Sequence, residues 1–352
     1  MKIYYYHTRP IQEALDEWNN KRHPGHILYG LPLFPRLGIQ CILHQYRFFG
    51  SRFMLMLYTT KEVLLSYKHY QAIYGTSFRG LELIIFLRAM GIFRKPIICW
   101  HHTAVTASSK KWKERLSRVF YRGIDKMFFF SKKLIDDSIK SKKVDSHKLQ
   151  LIHWGPDIPF YDNIMSETPT TERNGFISTG KENRDIATLL KAFASCQQQL
   201  DVYIPEACGP LRYKDIVENI IYQNNIQVHY TDGIIPYELA KLVAQKSCIV
   251  IPCLDFSYTI GLTTLVEAWA LGIPVISTRN PNFEIDIDKE GIGITVAYGD
   301  VKGWIDAIEY LSTHPTKAQE MGKKARLLAE QRFNLDIFSR EIADTILTYH
   351  KK

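Results

Sequence analysis

Thr263, Thr264 and Glu267 stand near the start of the run Gly261-Leu262-Thr263-Thr264-Leu265-Val266-Glu267-Ala268-Trp269-Ala270-Leu271-Gly272-Ile273-Pro274-Val275-Ile276. Glu267 follows Thr263 by four residues and Thr264 by three, so on a helix all three share one face. The N-terminus of such a helix offers free backbone N–H groups and the positive end of the peptide dipoles, which suits a phosphate. A carboxylate one turn further in is placed to accept hydrogen bonds from sugar hydroxyls. A plain core helix whose glutamate points to solvent fits the same residues, and this stretch alone does not separate the two. A second set lies in Ser178-Thr179-Gly180-Lys181-Glu182-Asn183-Arg184-Asp185. A glycine, Lys181 and Arg184 at the end of a strand can clamp a diphosphate, although a solvated loop reads the same way. The Gly-Lys-Ser/Thr order of a P-loop is missing. A third candidate is the pair His101 and His102, which follows an apolar strand. Histidines there can bond a sugar or an acceptor hydroxyl; alternatively one packs in the core and the other caps a loop. Asp286-Ile287-Asp288 spells a DxD metal motif, but no further metal-ligand spacing accompanies it.

The elements around these residues alternate. In the second half, strands are expected at 175–178, 200–204, 226–230, 248–251, 275–277 and 293–296, with helices at 185–199, 212–224, 236–246 and 262–271. Gly272 suits the left-handed cap that ends the last of these, and Pro274 follows where a helix cannot continue. Strands alternating with helices predict a parallel, doubly wound α/β sheet, whose ligands sit at the carboxyl ends of the strands. The first half has the same rhythm less cleanly. Strands are expected at 2–6, 27–30, 39–43, 70–74, 95–100, 126–130 and 148–153, and helices at 7–22 and 81–90. Ser131 is expected to cap a helix beginning at Lys132. Residues 162–174 are polar and aperiodic and read as an interdomain linker. A last helix, about 336–352, is free to pack back on the first domain. The expected domains are therefore 1–165 and 166–335.

The 352 residues suffice for two cores. Hydrophobic residues make up 46% and charged residues 23%, as in ordinary soluble domains. The net charge of +9 is unevenly spread. Residues 1–165 hold 26 basic and 12 acidic side chains, and residues 166–352 hold 19 and 24. Helix 110–122 places Trp112, Leu116, Val119 and Phe120 on one side and mostly cations on the other, a pattern suited to an anionic membrane surface or to packing on its own domain. The six cysteines form no CxxC pair, which suits a reducing compartment. With no signal peptide and no run of 18 apolar residues, the expected location is cytoplasmic, peripheral at the inner face of the cytoplasmic membrane.

Taken in order, these pieces resemble a GT-B glycosyltransferase of family 4 (glycosyl transferases group 1). Trp100-His101-His102 resembles the end of its first-domain strand with an active-site histidine, and residues 124–131 its next strand. His153-Trp154-Gly155-Pro156-Asp157 resembles its linker. Gly180-Lys181 with Arg184-Asp185 resembles its diphosphate clamp, and 261–276 its nucleotide-sugar helix. Gly291-Ile292-Gly293-Ile294 with Gly299-Asp300 resembles the segment that follows. The resemblance implies two Rossmann-like domains facing across a cleft, the first for the acceptor and the second for the donor. It implies transfer of a sugar, with retention, from a UDP- or GDP-type nucleotide sugar to a glycan or lipid-linked acceptor, without a metal or other cofactor, in bacterial capsule, O-antigen or exopolysaccharide synthesis. His101 and His102 would contribute to catalysis, and Lys181 and Arg184 would neutralise the leaving group. Gly180, Gly261, Leu262, Thr263, Thr264 and Glu267 would hold the donor, Glu267 by its ribose hydroxyls. Base contacts are expected at 230–234. Thr259 departs from the pattern, standing where many members have a sugar-binding glutamate. The competing readings are a nucleotide-sugar epimerase of the same fold, which would want more carboxylates, and a basic nucleic-acid binder, for which no motif is present.

Overall fold

The computed structural model describes residues 1–168, 172–231 and 236–349. The chain divides into two units, Met1–Asn20 with Gly25–Trp154 and Leu335–Lys352, and Lys21–Pro24 with Gly155–Asn334.

In the first unit, β1 (Lys2–Tyr6), α1 (Ile11–Asn19), β2 (Gln40–Leu43), α2 (Arg52–Leu65), β3 (Ala72–Gly75), α3 (Glu82–Ala89), β4 (Ile97–Trp100), α4 (Lys111–Arg122), β5 (Lys126–Phe129), α5 (Lys132–Lys140) and β6 (Leu149–Leu151) follow in sequence. The strands form a parallel sheet in the order β2-β1-β3-β4-β5-β6. Strands β3 and β4 are buried throughout, which explains their unbroken apolar runs. The three consecutive tyrosines of β1 are also buried, and each hydroxyl finds a partner: Tyr4 with His44 Nδ1 at 2.7 Å, Tyr5 with the Leu28 carbonyl at 2.8 Å, Tyr6 with the Arg79 carbonyl at 2.6 Å. Ser131 caps α5, its hydroxyl accepting from Leu134 N.

The expected strand at 27–30 is instead a 3-10 turn, Gly25–Leu28, followed by Tyr29 at φ +49° and Gly30 at φ +89°. Two consecutive left-handed residues cannot continue a strand. The polar boundary at 165 also moves. Residues 158–167 form a helix, so the first unit closes at Trp154. Gly155 marks the crossing, because a side chain there would meet the Phe333 backbone carbon at 2.2 Å. The C-terminal helix Leu335–Thr348 belongs to the first unit. Glu341 accepts from His153 N at 2.8 Å and pairs with its Nδ1 at 2.7 Å, and Phe338 packs on Trp100.

The second unit runs α6 (Ile158–Glu167), β7 (Phe176–Ser178), α7 (Ile186–Ala194), β8 (Leu200–Ile204), the hairpin β9 (Ala207–Cys208) and β10 (Leu211–Arg212), α8 (Tyr213–Glu218), β11 (Ile226–Tyr230), α9 (Pro236–Ala244), β12 (Cys248–Ile251), α10 (Leu262–Leu271), β13 (Val275–Thr278), α11 (Ile287–Glu290), β14 (Gly293–Val296), α12 (Val301–Thr313) and α13 (Pro315–Gln331). Its parallel sheet has the order β11-β8-β7-β12-β13-β14, so the winding reverses between β7 and β12. A sheet of this kind opens a crevice at that reversal. Of the expected linker, residues 162–167 lie in α6 and 169–171 lie outside the described residues. Asp157 caps α6, accepting from Phe160 N, and α6 packs on α10. Gly272, at φ +63°, ends α10. Arg173 donates to the carbonyls of Ala244, Leu271 and Gly272, satisfying the final carbonyls of α9 and α10.

Candidate functional site

The two loops at the sheet reversal of the second unit carry most of the expected residues. One follows β7 and holds Gly180, Lys181 and Arg184. The other follows β12 and leads into α10. Backbone pairing between Arg184 and Cys253, and bonds from Asp185 N to Pro252 O and Leu254 N to Asn183 O, tie them edge to edge.

Arg184 is not a solvated loop residue; it is 5% exposed. Its Nε donates to the Thr179 carbonyl at 3.1 Å, Nη1 to the Glu182 carbonyl at 3.4 Å and to Cys253 Sγ at 3.8 Å, and Nη2 to Thr264 Oγ1 at 3.1 Å. These partners are all neutral, and no carboxylate pairs with it among the described residues. The guanidinium therefore lies fixed beside the first turn of α10 with its charge uncompensated. Gly180 makes this possible. It sits at φ +105°, and a Cβ there would come within 2.1 Å of Arg184 Nη2. Lys181 is exposed, and its carbonyl accepts from the Tyr213 hydroxyl at 2.9 Å, which leaves its ammonium toward solvent.

Gly261 caps α10 at φ +87° without a side-chain hydrogen bond; Leu262 N donates to the Thr259 carbonyl at 3.4 Å, which leaves the N–H groups of Thr263 and Thr264 for a ligand. A Cβ at Gly261 would meet Ile251 Cγ2 at 2.7 Å. Leu262 is half-buried and Thr263 exposed, while Thr264 is buried with its hydroxyl accepting from Arg184. One turn on, Glu267 is half-buried and has no hydrogen-bond partner among the described residues. Burial pushes its carboxyl up to about 8. Tyr161 of α6 lies near it, its hydroxyl held far above its ordinary value by burial and by Glu267.

Sequence reasoning missed the bracing of this loop. Asn280 donates to the carbonyls of Tyr258 and Ile260, and Asn282 to those of Phe256 and Tyr258. The Tyr258 hydroxyl donates to Glu182 and accepts from Asn183 at 3.0 Å, joining the two site loops. These links span many residues in sequence, and no local pattern announces them. Thr259 sits half-buried within the braced segment. Of the expected base contacts, 232–234 lie outside the described residues. The DxD carboxylates are engaged structurally. Asp286 caps α11 by accepting from Lys289 N, and Asp288 accepts from Thr295 N. Among the described residues no group of three or more His, Cys, Asp or Glu is placed to hold a metal.

In the first unit the histidine pair divides. His101 is a core residue and not a free site group. It is 3% exposed, its Nδ1 meets the Thr103 carbonyl, its Nε2 lies 3.1 Å from the Tyr121 hydroxyl, and its ring stacks on Phe78 and Phe129. Burial lowers it to about 4, so it is neutral. His102 is half-buried at the strand end, with Nε2 donating to the Thr76 carbonyl at 2.9 Å and its ring edge-on to Tyr29 at 6.0 Å. His7, just past β1, was also missed, although a polar residue directly after a buried strand is a signal for this position. Its ring lies 6.1 Å from Tyr29, and burial, then Arg9 and His102, lower it to about 4. The left-handed backbone of Tyr29 thus holds one ring against both imidazoles, and such strain recurs at functional sites.

Comparison with known proteins bears on the fold and on the second half of the chain. Residues 167–328 match the family Glycosyl transferases group 1. HepE of Anabaena, solved in complex with UDP and glucose, superposes with a TM-score of 0.70 at 15% identity over 99% of this chain and 100% of that one. Sucrose-phosphate synthase of Thermosynechococcus elongatus superposes with a TM-score of 0.74 at 14% identity, over 100% and 99%. A D-inositol 3-phosphate glycosyltransferase of Pseudarthrobacter chlorophenolicus is 33% identical over 113 residues, 32% of this chain and 25% of the relative. A UDP-N-acetylglucosamine--N-acetylmuramyl-(pentapeptide) pyrophosphoryl-undecaprenol N-acetylglucosamine transferase of Lactobacillus johnsonii is 25% identical over 134 residues, 35% of this chain and 34% of the relative. The chain thus spans about a quarter to a third of the length of these curated relatives. Its fold is GT-B, and its residues 167–328 are similar to the glycosyl transferases group 1.

Proposed function

We propose that the protein transfers a sugar from a nucleoside diphosphate sugar to a hydroxyl acceptor, with retention at the anomeric carbon. The observation that carries this reading is the pairing, on one helix N-terminus, of a buried arginine without a carboxylate partner and a desolvated glutamate without a hydrogen-bond partner. A nucleoside diphosphate supplies what each lacks. Its phosphates meet Arg184, Lys181 and the α10 N–H groups, and its ribose hydroxyls donate to Glu267. As the glycosidic bond breaks, negative charge grows on the departing diphosphate. Preorganised cations and N–H dipoles stabilise that charge more than they stabilise the bound donor. These groups do the work a metal would do, so no metal is invoked. UDP is the favoured nucleotide, since HepE was solved with it. Thr259 leaves the sugar contact to other groups. His102 and His7 are assigned to the acceptor hydroxyl or the donor sugar, since both rings are placed at strand carboxyl ends.

The acceptor is placed in cell-surface polysaccharide assembly, as a glycan or a lipid-linked sugar at the inner face of the membrane. Helix α4 supports this with an exposed Trp112 and a largely cationic surface. No helix among the described residues is long and apolar enough to cross a membrane, so contact would be peripheral. The test is a thermal-shift panel of UDP-, GDP- and ADP-sugars on the wild type and on Glu267→Ala, repeated with EDTA. UDP-sugar stabilisation of the wild type that is unaffected by EDTA and lost in the variant is expected. If no nucleotide sugar stabilises the wild type, or the variant responds equally, the donor site is misassigned.

A further inference from the structure

Helix α2 turns its apolar residues outward. Phe53 is 61% and Leu65 68% exposed, and Met54, Leu57 and Leu64 are exposed with them. The buried residues of the same helix are Thr59, Thr60 and Val63. A helix that served only its own core would show the reverse arrangement. Phe48, 79% exposed, and Tyr46 extend the stripe into the preceding loop.

This stripe does not stand alone. Helix α2 packs on α3 and α3 on α4, so the three lie side by side as one layer. Each follows a strand of the parallel sheet, so each begins at the carboxyl edge of that sheet. The first turns of α2 and α4 therefore share an edge, and there α4 exposes Trp112 (62%) and Leu116. The exposed charges among these residues are cationic: Arg47, Arg52 and Lys61 around α2, and Lys110, Lys111, Lys113, Arg115 and Arg118 around α4. Of the nearby carboxylates, Glu82 pairs with Arg52 and Glu114 with Lys143 and Arg118, while Glu62 of α2 is half-buried near Tyr4 and Tyr58.

We propose that α2 and α4 together form a docking face for an anionic lipid bilayer. Aromatic and long aliphatic side chains enter the boundary between headgroups and acyl chains, and flanking cations meet anionic headgroups. A second copy of the chain is a poorer occupant, because it would bring two faces of like charge together. The docking face stands on exposure and charge alone. Only its consequence, that the edge bearing His7 and His102 is held near lipid-linked acceptors, rests on the function proposed above.

The test is co-sedimentation of the full-length protein with phosphatidylcholine vesicles, with and without phosphatidylglycerol. The variants are Phe53→Ser with Leu57→Ser, Trp112→Ala, and Lys111→Glu with Lys113→Glu. The wild type should bind only the anionic vesicles, and each variant should bind about tenfold more weakly or less, given how much each removes from a small interfacial contact. Because the altered side chains face solvent, thermal midpoints should hold, and a variant that loses its midpoint is replaced by Phe48→Ser. Failure of the wild type to bind anionic vesicles overturns the proposal, as does equal binding by all variants. So does a dimer in solution that the Phe53→Ser, Leu57→Ser variant dissociates. Nucleotide-sugar thermal shifts run in parallel separate the two readings: vesicle binding without donor binding retains the docking face and removes the transferase, and the converse does the opposite.

Discussion

Replacing Glu267 by glutamine isolates the electrostatics of the site. The carboxyl of Glu267 is raised to about 8 by burial, against about 4.3 for a glutamate in water. The folded state therefore holds this proton more tightly than the unfolded chain does. The contribution of Glu267 to stability is greatest below about pH 4 and falls as pH rises toward about 8, above which it levels. At 1.36 kcal/mol for each pH unit, the upper limit of this loss is about 3.6 kcal/mol at pH 7 and about 1 kcal/mol at pH 5. Glu267 retains some contact with solvent, so about half of that is a fair expectation. Glutamine keeps the shape and removes the ionisation. Glu267→Gln should therefore raise the thermal midpoint of the free protein by roughly 3–7 °C at pH 7, since 1 kcal/mol moves a unit of this size by about 2–4 °C. At pH 5 the difference should shrink to about 1–2 °C.

Donor binding should reverse the order. Ribose hydroxyls bond an ionised carboxylate more strongly than an amide, a difference of about 1.5–3 kcal/mol, or roughly 10- to 100-fold in affinity. The wild type should also bind a UDP-sugar more tightly as pH rises from 6 to 8, because binding wants the ionised form, and the variant should not. Differential scanning calorimetry across pH, with and without UDP-sugar, measures both effects. A variant whose midpoint tracks the wild type at every pH would refute the desolvated glutamate. A variant that binds the donor as tightly as wild type would refute the role given to it.

Other substitutions separate site from scaffold. Arg184→Met keeps the aliphatic stem and removes the charge beside Thr264; single-turnover donor cleavage should slow about 100-fold or more, and a smaller loss would move leaving-group stabilisation elsewhere. His102→Ala should lower turnover with little change in midpoint. His101→Ala should instead cost about 2 kcal/mol of stability, read from urea unfolding, because it opens a gap between Phe78 and Phe129 and strands the Tyr121 hydroxyl. Gly261→Ala should destabilise the second unit by about 1–3 kcal/mol, since φ +87° and the 2.7 Å approach to Ile251 both oppose a side chain.

The α10 segment was legible because its signals are local. Gly261, Gly272 and Pro274 bound a helix by backbone preference alone, and the spacing of Thr264 and Glu267 needs only helical geometry. What α10 touches was not legible. Arg184 and Thr264 are 80 residues apart, and a loop sequence rich in polar groups gives no sign that its arginine is buried. His101 and His102 are adjacent, and their opposite fates depend on Phe78, Phe129 and Tyr121, which come from three other segments. The expected linker failed for a related reason. Its apolar anchors Phe160, Tyr161 and Ile164 sit at helical spacing, but they precede or barely enter the polar stretch on which the boundary was placed. Helix α2 escaped notice because it reverses the rule used to find helices. With its apolar residues outside, its sequence shows mixed aromatics and cations and no inward stripe. Helices α12 and α13 were passed over beyond the last expected strand, where α13 reaches α10 through the close approach of Gly322 to the Gly272 carbonyl.

The burial of Arg184 and the high proton affinity of Glu267 belong to one arrangement. A guanidinium near a carboxylate ordinarily lowers the carboxyl and closes an ion pair. Here Nη2 ends on Thr264, one turn short of Glu267, and the carboxyl remains raised. Both groups would be better solvated in the unfolded chain, so each costs stability in the empty site. Gly180, the two braces Asn280 and Asn282, and the Tyr258 link hold the loops so that the charges stay apart. Under the proposed function, one ligand with phosphates at one end of this gap and hydroxyls at the other relieves both costs at once. Donor binding should therefore stabilise the second unit by more than the single substitutions Arg184→Met and Glu267→Gln each remove. A double-mutant cycle on donor affinity should be additive, because the two side chains meet the ligand and not one another. Coupling of more than about 0.5 kcal/mol between them would mean they interact directly, and the separation of charges that organises this reading would not hold.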